Sequence, residues 1–268
     1  MRTVNDWRSY DDVAEVYERV AAPRFATVSR DVVALAMPPA GGRALDVGTG
    51  TGVTAAAVAE AMGPGSLVIG ADPSVEMLRV GTLPRPGPRV AAQAIDLPFR
   101  ERSFDFVVAT FVLPHFVKYQ TALFDMVRVL KPGGRLALST WADGRDELTE
   151  TWEKLVEDVV PREVLVSAWN EVVPWRDRFA HRAAVEDALR EAGLQHVRTE
   201  PMQYRFQYSV DEFVQSLAIG AAGRFVKDML GTEMWSSFIA NARSTFAARF
   251  ADPLNDFRDV ILAVATKA

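Results

Sequence analysis

A strand-like run that leads into closely spaced glycines limits most strongly what this chain can fold into. Residues 43–47 are mostly apolar, glycines follow at Gly48, Gly50 and Gly52, and residues 53–62 have the composition of a helix. Glycine lets the backbone turn sharply and lets a ligand approach the backbone amides closely. The segment therefore predicts a buried strand, a ligand-binding loop and the N-terminus of a helix.

The spacing of these glycines differs from that of a dinucleotide-binding loop. Such a loop follows the pattern G-x-G-x-x-G/A, in which the third small residue allows close packing beside a pyrophosphate. Here Val53 occupies that position, and an acidic residue, Asp46, stands two places before Gly48. The loop therefore suits a ligand that carries an ammonium group and no pyrophosphate.

A second acidic residue, Asp72, ends the next predicted strand and lies 20 residues after Gly52. Its two carboxylate oxygens can accept hydrogen bonds from both hydroxyls of a ribose. The alternative is a solvated loop acid, and the preceding glycine loop favours the ribose interpretation.

Short apolar runs alternate with helical patterns from residue 43 to residue 140. Strand-like runs lie at 43–47, 67–71, 90–94, 104–110 and 135–140, and two more at 196–200 and 260–265. Such alternation is typical of a parallel sheet with crossover helices. The predicted fold class is α/β, a Rossmann-like, doubly wound sheet of seven mostly parallel strands with helical insertions.

The rhythm of strands and helices predicts one domain over residues 1–268 rather than two. Residues 1–40 form N-terminal helices, 41–142 form the ligand-binding core, and 143–182 and 206–250 are helical insertions. The insertions are rich in large apolar side chains, which favours a cap over a lipophilic small-molecule substrate. Packing of the helices onto the core is the simpler reading for any single one of these residues.

Composition excludes several kinds of chemistry. The chain has no cysteine and three histidines, which predicts neither thiolate chemistry nor a histidine-rich metal site. A net charge of -5 argues against nucleic acid as a partner. No apolar run is long enough for a membrane span and the N-terminus lacks a signal-peptide core, so we expect a cytoplasmic protein, either a monomer or a homodimer.

The order of several motifs between residues 40 and 140 resembles a known family. The matching segments are 45–52, 72–74 with Met77-Leu78, 97–99, 103–105, 113–115 and 129–136. In these segments the chain is similar to class I S-adenosylmethionine-dependent methyltransferases of the ubiquinone/menaquinone-biosynthesis type (methyltransferase type 11). The resemblance implies S-adenosylmethionine as cofactor, S-adenosylhomocysteine as product, and methylation of oxygen, nitrogen or carbon in a small organic acceptor.

The resemblance also implies which residues hold the cofactor. Gly48 and Gly50 would line its methionine part, Asp72 would hold the ribose, and Pro73 and Met77 would flank the adenine. The complete expected set is Tyr17, Asp46, Gly48, Thr49, Gly50, Asp72, Pro73, Met77, Gln93, Ala94, Ile95, Thr110 and Phe111.

One position departs from the family pattern. An acidic residue usually stands four places before the Leu of Leu-Pro-Phe and accepts the adenine amino group, but here that residue is Gln93. Glutamine keeps an acceptor carbonyl and loses the charge. Asp96 is a possible substitute if the loop is shifted.

A general base is optional for this chemistry, because the sulfonium already activates the methyl group. If the acceptor needs a base, His115 is the best-placed candidate, since it follows the fourth strand. The alternative is a histidine that shapes the loop through a backbone hydrogen bond.

Other functions remain open from the sequence. The cofactor pocket could serve a reaction without methyl transfer, such as a cyclisation or a hydroxylation. An NAD-dependent oxidoreductase is disfavoured by Val53, and a pure binding module is disfavoured by the aromatic insertions.

Overall fold

The computed structural model describes residues 8–80, 87–144 and 146–268. Its centre is a seven-stranded sheet in the order β3-β2-β1-β4-β5-β7-β6, in which only β7 runs antiparallel to its neighbours. The strands are β1 (Arg43–Val47), β2 (Leu67–Asp72), β3 (Arg89–Ala91), β4 (Phe104–Thr110), β5 (Leu130–Trp141), β6 (Leu194–Tyr208) and β7 (Leu254–Lys267). The predicted fold class is confirmed.

Helices cover both faces of the sheet. They are α1 (Ala14–Val16), α2 (Ala22–Ala36), α3 (Val53–Met62), α4 (Val75–Arg79), α5 (Tyr119–Val129), α6 (Glu147–Glu157), α7 (Arg162–Val172), α8 (Arg176–Phe179), α9 (Arg182–Glu191), α10 (Val210–Ala218) and α11 (Ala221–Arg249). A 3-10 turn at Asp11–Val13 and a π-helical turn at Tyr17–Ala21 join α1 and α2 into one helical run, and a 3-10 turn at Leu113–His115 follows β4. Among the described residues, no helix is long and apolar enough to cross a membrane.

Alternate residues of the strands enter two separate cores. Phe106 and Val108 of β4 pack with helices α2 and α3 on one face. Val107 of the same strand packs with α5 and α9 on the other face. Side chains alternate across a strand, so a sheet covered on both faces needs apolar residues at nearly every position. This requirement explains the continuous apolar runs in the sequence.

The order in which the chain adds strands to the sheet reverses at β1. β2 and β3 lie on one side of β1, and β4 lies on the other side, next to β1. In open α/β sheets, ligands bind in the crevice at the carboxyl ends of the strands where the strand order reverses. The end of β1 is followed by the glycine loop, and the end of β4 by Phe111. The fold therefore places the predicted pocket at this reversal.

Several elements differ in extent from the sequence prediction. The third strand covers only Arg89–Ala91 instead of 90–94, because residues 93–96 turn. The last two strands are much longer than expected and pair with each other from Leu194 to Tyr208. The second insertion therefore starts at Val210 and not at residue 206. Residues 203–208 alternate polar and apolar side chains and alternate in burial, so this part of β6 carries a strand pattern that the predicted bounds left out.

Helix α11 is interrupted at Gly231, which has φ 70° and ψ 176°. Only glycine adopts that backbone conformation without strain. The segment after the interruption is anchored to the core, since Phe238 packs edge-on against Trp152 with 5.4 Å between ring centroids. The segment before it reaches toward the N-terminal helices.

Candidate cofactor site at the carboxyl edge of the sheet

The loop after β1 has the left-handed backbone that its glycines predict. Gly48, Gly50 and Gly52 have φ values of 71°, 54° and 97°. The backbone amides of Gly48 and Thr49 both donate to the carbonyl of Ala71 at the end of β2, at 2.8 and 3.0 Å. The loop is thus bonded across to the neighbouring strand, which holds its curvature in place.

Asp72 fastens the same loop from the end of β2. Its carboxylate accepts hydrogen bonds from the backbone amides of Gly50 (2.8 Å) and Ser74 (2.9 Å). Burial raises the pKa of Asp72, and these two hydrogen bonds lower it by less. Each carboxylate oxygen has more than one lone pair, so both can still accept from ligand hydroxyls. The structure assigns Asp72 a loop-holding role that the sequence did not predict.

Asp46 is fully buried beneath the loop. The hydroxyl of Thr49 donates to its Oδ2 at 2.7 Å, while Oδ1 has no hydrogen-bond partner among the described residues. Burial raises the pKa of Asp46 to about 7, against the opposing effect of hydrogen bonds from the Thr49 side chain and the Ala55 backbone. A buried carboxylate with an unsatisfied oxygen is costly unless a donor or a cation completes it.

The two buried carboxyl groups give the pocket an acidic character. No lysine or arginine within the described ranges forms an ion pair with Asp46 or Asp72, and the charge of Asp72 raises the pKa of Asp46 while that of Asp11 raises the pKa of Asp72. The hydroxyl of Thr51, in the same loop, is also buried without a hydrogen-bond partner. Buried charges in proteins are normally paired. The site is therefore built for a cationic ligand with hydrogen-bonding groups.

Two apolar side chains lie directly over the glycines. A Cβ added at Gly48 would come within 2.4 Å of Val112 Cγ1, and one added at Gly50 within 3.2 Å of Met77 Cε. Val112 follows the end of β4, and Met77 is buried in α4. Glycine is thus needed at position 48 for both conformation and space.

The N-terminal helical run closes over this edge. Ser74 donates from its hydroxyl to Asp11 at 2.5 Å, and Glu76 donates its backbone amide to the same carboxylate at 3.3 Å. Tyr17 lies in the π-helical turn, a feature that is frequent at functional sites. Burial and the nearby Tyr10, Asp72 and Asp46 all raise the pKa of Tyr17. Tyr17 is therefore close to both pocket carboxylates, and its contact with the cofactor stays a prediction.

A row of aromatic rings continues from the N-terminal run to the sheet. Tyr17 lies 6.2 Å from Tyr10 and 5.9 Å from Phe25, measured between ring centroids. Phe25 contacts Phe111 at 5.2 Å, and Phe111 stacks on Trp141 at 4.2 Å. Phe111 also has a positive φ of 57°, uncommon for a bulky residue. This row forms an apolar, flat-sided wall next to the carboxylate pocket.

Beneath this wall, three hydroxyl groups form a chain. Ser29 Oγ lies 2.9 Å from Thr54 Oγ1, which lies 2.8 Å from Thr110 Oγ1. The hydroxyl of Thr110, an expected cofactor contact, is therefore already hydrogen-bonded to Thr54 of α3. The chain satisfies polar groups that would otherwise be buried unpaired between α2, α3 and β4.

His115 occupies the 3-10 turn after β4. Its Nδ1 lies 3.0 Å from the carbonyl of Val172 in α7. A carbonyl only accepts, so Nδ1 carries the proton and Nε2 is left as the acceptor. Burial lowers the pKa of His115 to about 4, the hydrogen bond to Val172 opposes this, and the charge of Arg224 adds to it. The imidazole is therefore neutral near pH 7, and its bond to α7 is the loop-shaping contact considered above.

The turn after β3 holds three of the expected cofactor contacts, Gln93, Ala94 and Ile95. Ala94 is buried, whereas Gln93 and Ile95 are exposed, and Asp96 donates its backbone amide to the carbonyl of Gln93 at 3.1 Å. Leu97 is anchored next to this turn because its amide donates to Asp125 at 2.6 Å. The turn thus presents Gln93 at the edge of the site, and its amide group has no hydrogen-bond partner in the part of the chain that the structure describes.

The expected cofactor residues fall on the carboxyl ends of four adjacent strands and on the N-terminal run. Pro73 and Gln93 are exposed at the rim, while Asp46 and Ala94 are buried. The sequence did not single out Asp11 or Val112 for this site, because nothing in their local pattern shows which loop they will touch. Whether each residue contacts the cofactor stays a prediction.

A cavity of about 340 Å³ lies at the opposite, amino-terminal edge of the sheet. Its charged groups satisfy each other, since Lys131 donates to Asp105 at 2.7 Å. It is distant from the glycine loop and from both pocket carboxylates, so it does not compete as the cofactor site.

The doubly wound sheet, the glycine loop and the acidic pocket at the strand reversal define a class I methyltransferase-type domain. Residues 45–138 match a family model described as a methyltransferase domain. Demethylmenaquinone methyltransferase of Roseiflexus castenholzii is 40% identical over 119 residues, which are 43% of this chain and 50% of that protein. Residues 45–138 therefore match a methyltransferase domain, as the motifs predicted, and the curated relatives they resemble are demethylmenaquinone methyltransferases. The chain spans about half the length of this curated relative.

Solved structures share the fold over nearly the whole chain. A Haemonchus contortus phosphoethanolamine N-methyltransferase 2 in complex with S-adenosyl-L-methionine has a TM-score of 0.58 at 18% identity, covering 99% of this chain and 61% of that one. The [4+2]-cyclase SpnF has a TM-score of 0.59 at 19% identity, covering 97% and 94%. At these identities the likeness shows the fold alone.

The residues present fit S-adenosylmethionine. Asp46 contributes a negative charge beneath the glycine loop that favours an ammonium group, Asp72 can accept from ribose hydroxyls, and the aromatic row supplies an apolar wall. Together with the family match, this supports S-adenosylmethionine as the cofactor, as predicted.

Proposed function

We propose that this chain transfers the methyl group of S-adenosylmethionine to a small, lipophilic organic acceptor. The single observation that carries the proposal is the pair of buried carboxylates, Asp46 and Asp72, without a cationic partner among the described residues. S-adenosylmethionine is a cation whose ammonium and ribose would satisfy them. The similarity of the core to demethylmenaquinone methyltransferases supports a small-molecule acceptor.

In this proposal, the chain's own residues bind and orient rather than react. When bound, the cofactor supplies an activated methyl group on its sulfonium. Asp46 would hold the ammonium, the amides of the glycine loop would follow the methionine backbone, and Asp72 would hold the ribose. Tyr17 and Phe111 would exclude water from the transfer path, since positioning and desolvation are the main tasks left to the protein.

We further propose that the helices of 143–182 and those after Val210 cap the acceptor, and that the chain acts as one domain. His115 stays a candidate base through its Nε2, although its low pKa makes it a weak one. Cytoplasmic location, a monomer or homodimer, and the absence of nucleic acid as a partner complete the proposal. The net charge of -5 supports the last of these three statements.

No feature of this chain favours a reaction without methyl transfer, because the likeness to a cyclase is one of fold alone. Calorimetric titration with S-adenosylmethionine, S-adenosylhomocysteine and NAD tests the cofactor assignment. We expect the first two to bind and NAD not to bind. Tight binding of NAD, or no binding of either sulfur compound, would refute the proposal.

Catalysis is tested separately by release of S-adenosylhomocysteine with a panel of phenolic and polyketide-like acceptors. Asp46→Asn should abolish most of the release at a fixed cofactor concentration. The matched control is Asp105→Asn, an acid at the opposite edge of the sheet that is paired with Lys131. The Asp105→Asn variant should release S-adenosylhomocysteine at nearly the wild-type rate.

A further inference from the structure

Two aspartates meet where the first insertion joins the end of the sheet. Asp146 is the N-cap of α6, and Asp256 lies near the start of β7 with only 3% of its surface exposed. Their carboxyl groups are within hydrogen-bonding reach of each other. The pairing of β5 with β7 stops at Trp141 and Val260. Asp146 therefore reaches Asp256 past the end of β5.

The groups around this pair cannot support two ionised carboxylates. Oδ1 of Asp146 accepts hydrogen bonds from the backbone amide and the hydroxyl of Thr149, both at 2.8 Å. Oδ2 of Asp146 is buried and has no hydrogen-bond partner in the described part of the chain. Nε of Arg258 lies 2.8 Å from Oδ1 of Asp256 and balances one negative charge. Because a buried carboxylate oxygen without a donor is costly, one donor and one positive charge are missing.

Other charged and titratable groups lie close to the two acids. They are Arg258 and Asp259 from β7, Tyr208 from β6, Arg24 from α2, Glu147 from α6 and Arg249 from α11. Of these, Arg258 alone forms an ion pair with either acid within the described ranges. The described residues also contain no group of three acids or histidines that could hold a metal ion. A proton is therefore the simplest source of the missing donor.

A proton held between the two carboxyl groups supplies both the donor and the charge. Two carboxylates in contact repel each other, so such a pair retains one proton, which one acid donates to the other. Burial raises the pKa of Asp256, Arg258 lowers it, and the contact with Asp146 raises it again. The pKa of Asp256 therefore lies above its usual value of 3.8, as a shared proton requires.

The start of α6 has room to move away from β7. A cavity of about 280 Å³ lies beside Asp146, and its apolar lining is Leu148, Phe250, Leu254 and Phe257. Protein interiors are normally close-packed, and a side chain next to a void has few contacts on that side. The contact between the two acids is therefore an important link between α6 and β7 at this end.

We propose that Asp146 and Asp256 share one proton that fastens α6 to β7, and that loss of this proton at higher pH loosens the first insertion. When the proton leaves to water, the two like charges repel and the start of α6 separates from β7. Trp152 of α6 packs against Phe238 of α11, so the loosening extends to the second insertion. The pair is thus a pH-sensitive switch built into the helical insertions, and it does not depend on the proposed function.

Hydrogen–deuterium exchange of the full chain without cofactor tests this switch. The parent protein for the test is Asp46→Asn, because Asp46 also has a raised pKa and would add its own pH dependence. Exchange is corrected for the intrinsic rate at each pH, so that it reports the local opening equilibrium. Protection of residues 147–157 and 254–258 should fall at least about tenfold between pH 5 and pH 8.5, because the closed state holds the proton more tightly than the open state.

Amide variants of the pair separate the proton from the contact itself. Asp146→Asn, added to the parent, keeps the N-cap of α6, and its amide donates to Asp256 at every pH. Protection of the two segments should then change less than about twofold over the same pH range, and Asp256→Asn should give the same result. The matched control is Asp31→Asn, because Asp31 accepts from the hydroxyl of Tyr204 at 2.8 Å and so already has a donor. This control should keep the fall of the parent.

The outcomes are distinct. If Asp256→Asn does not fold, Asp146→Asn and Asp146→Ser decide, because serine also caps a helix and carries no charge. A parent whose two segments keep their protection up to pH 8.5 would overturn the switch. A fall with pH that persists in any folded variant of Asp146 or Asp256 would overturn it as well. No cofactor takes part in these measurements, so their failure leaves the proposed function standing, and failure to bind S-adenosylmethionine leaves the switch standing.

Discussion

The buried carboxylate of Asp46 should make the ligand-free protein less stable as pH rises. Its pKa in the folded protein is about 7, against 3.8 for an exposed aspartate. A raised pKa means that the folded state holds the proton more tightly than the unfolded state. The free energy of unfolding therefore falls between about pH 4 and pH 7, and the whole loss is present above pH 7.

The size of this effect follows from the pKa difference. About three units at about 1.4 kcal/mol each give an upper bound of about 4 kcal/mol. Asp46→Asn removes the ionisation and keeps an oxygen that can accept from Thr49. We therefore expect Asp46→Asn to be about 1 to 4 kcal/mol more stable than the wild type at pH 8.5, with the difference reduced to about 1 kcal/mol or less at pH 4.5. A large gain on losing a charge would mark a site kept for binding.

Urea denaturation at both pH values, without cofactor, measures this difference. Asp105→Asn is the control of opposite sign. Burial raises the pKa of Asp105, but the contacts with Lys131 and Arg43 lower it by more, so the pKa of Asp105 lies below its usual value. Asp105 should stabilise the protein at pH 8.5 and lose that contribution as pH falls. Wild-type and Asp46→Asn stabilities that run parallel between the two pH values would refute the reasoning about Asp46.

Three further perturbations test other parts of the site. Affinity for S-adenosylmethionine should rise with pH between about 5 and 7.5 in the wild type, because a cationic ligand prefers the ionised Asp46; a flat calorimetric profile would contradict this. Gly48→Ala should lower cofactor affinity at least about tenfold, since φ is 71° and the new Cβ would lie 2.4 Å from Val112, and an unchanged dissociation constant would show that the loop is not the binding surface. Gly231→Ala should cost about 1 to 3 kcal/mol in urea denaturation, from backbone strain alone, because its Cβ would meet nothing within 4 Å; no loss would mean that α11 straightens freely.

Much of the fold was predictable because it depends on local patterns. Parallel strands covered on both faces need continuous apolar runs, and those of β1, β2, β4 and β5 stand out in the sequence for that reason. The glycine loop was equally predictable, since left-handed backbone at Gly48, Gly50 and Gly52 favours residues without a Cβ. Asp72 followed from its place at the end of a predicted strand.

The lengths of β6 and β7 were not predictable in the same way. Their outer halves pair with each other beyond β5, and polar residues such as Gln203 and Asn255 lie on the exposed face. Their strand conformation is held by hydrogen bonds between segments about fifty residues apart. The outer half of β6 carries a clear alternation at residues 204–208, whereas residues 254–259 of β7 do not, so only their pairing with β6 shows that they form a strand.

The sequence by itself determined the sheet, the glycine loop and the acidic residues that belong to it, because each follows from the conformational needs of neighbouring residues. Only the tertiary structure decided how those residues are used. It showed that Asp72 binds the loop amides, that Asp46 keeps one oxygen unsatisfied, and that Asp146 meets Asp256 past the end of β5. These contacts join segments distant in sequence, and burial, which sets their charges and strengths, exists only once the chain has folded.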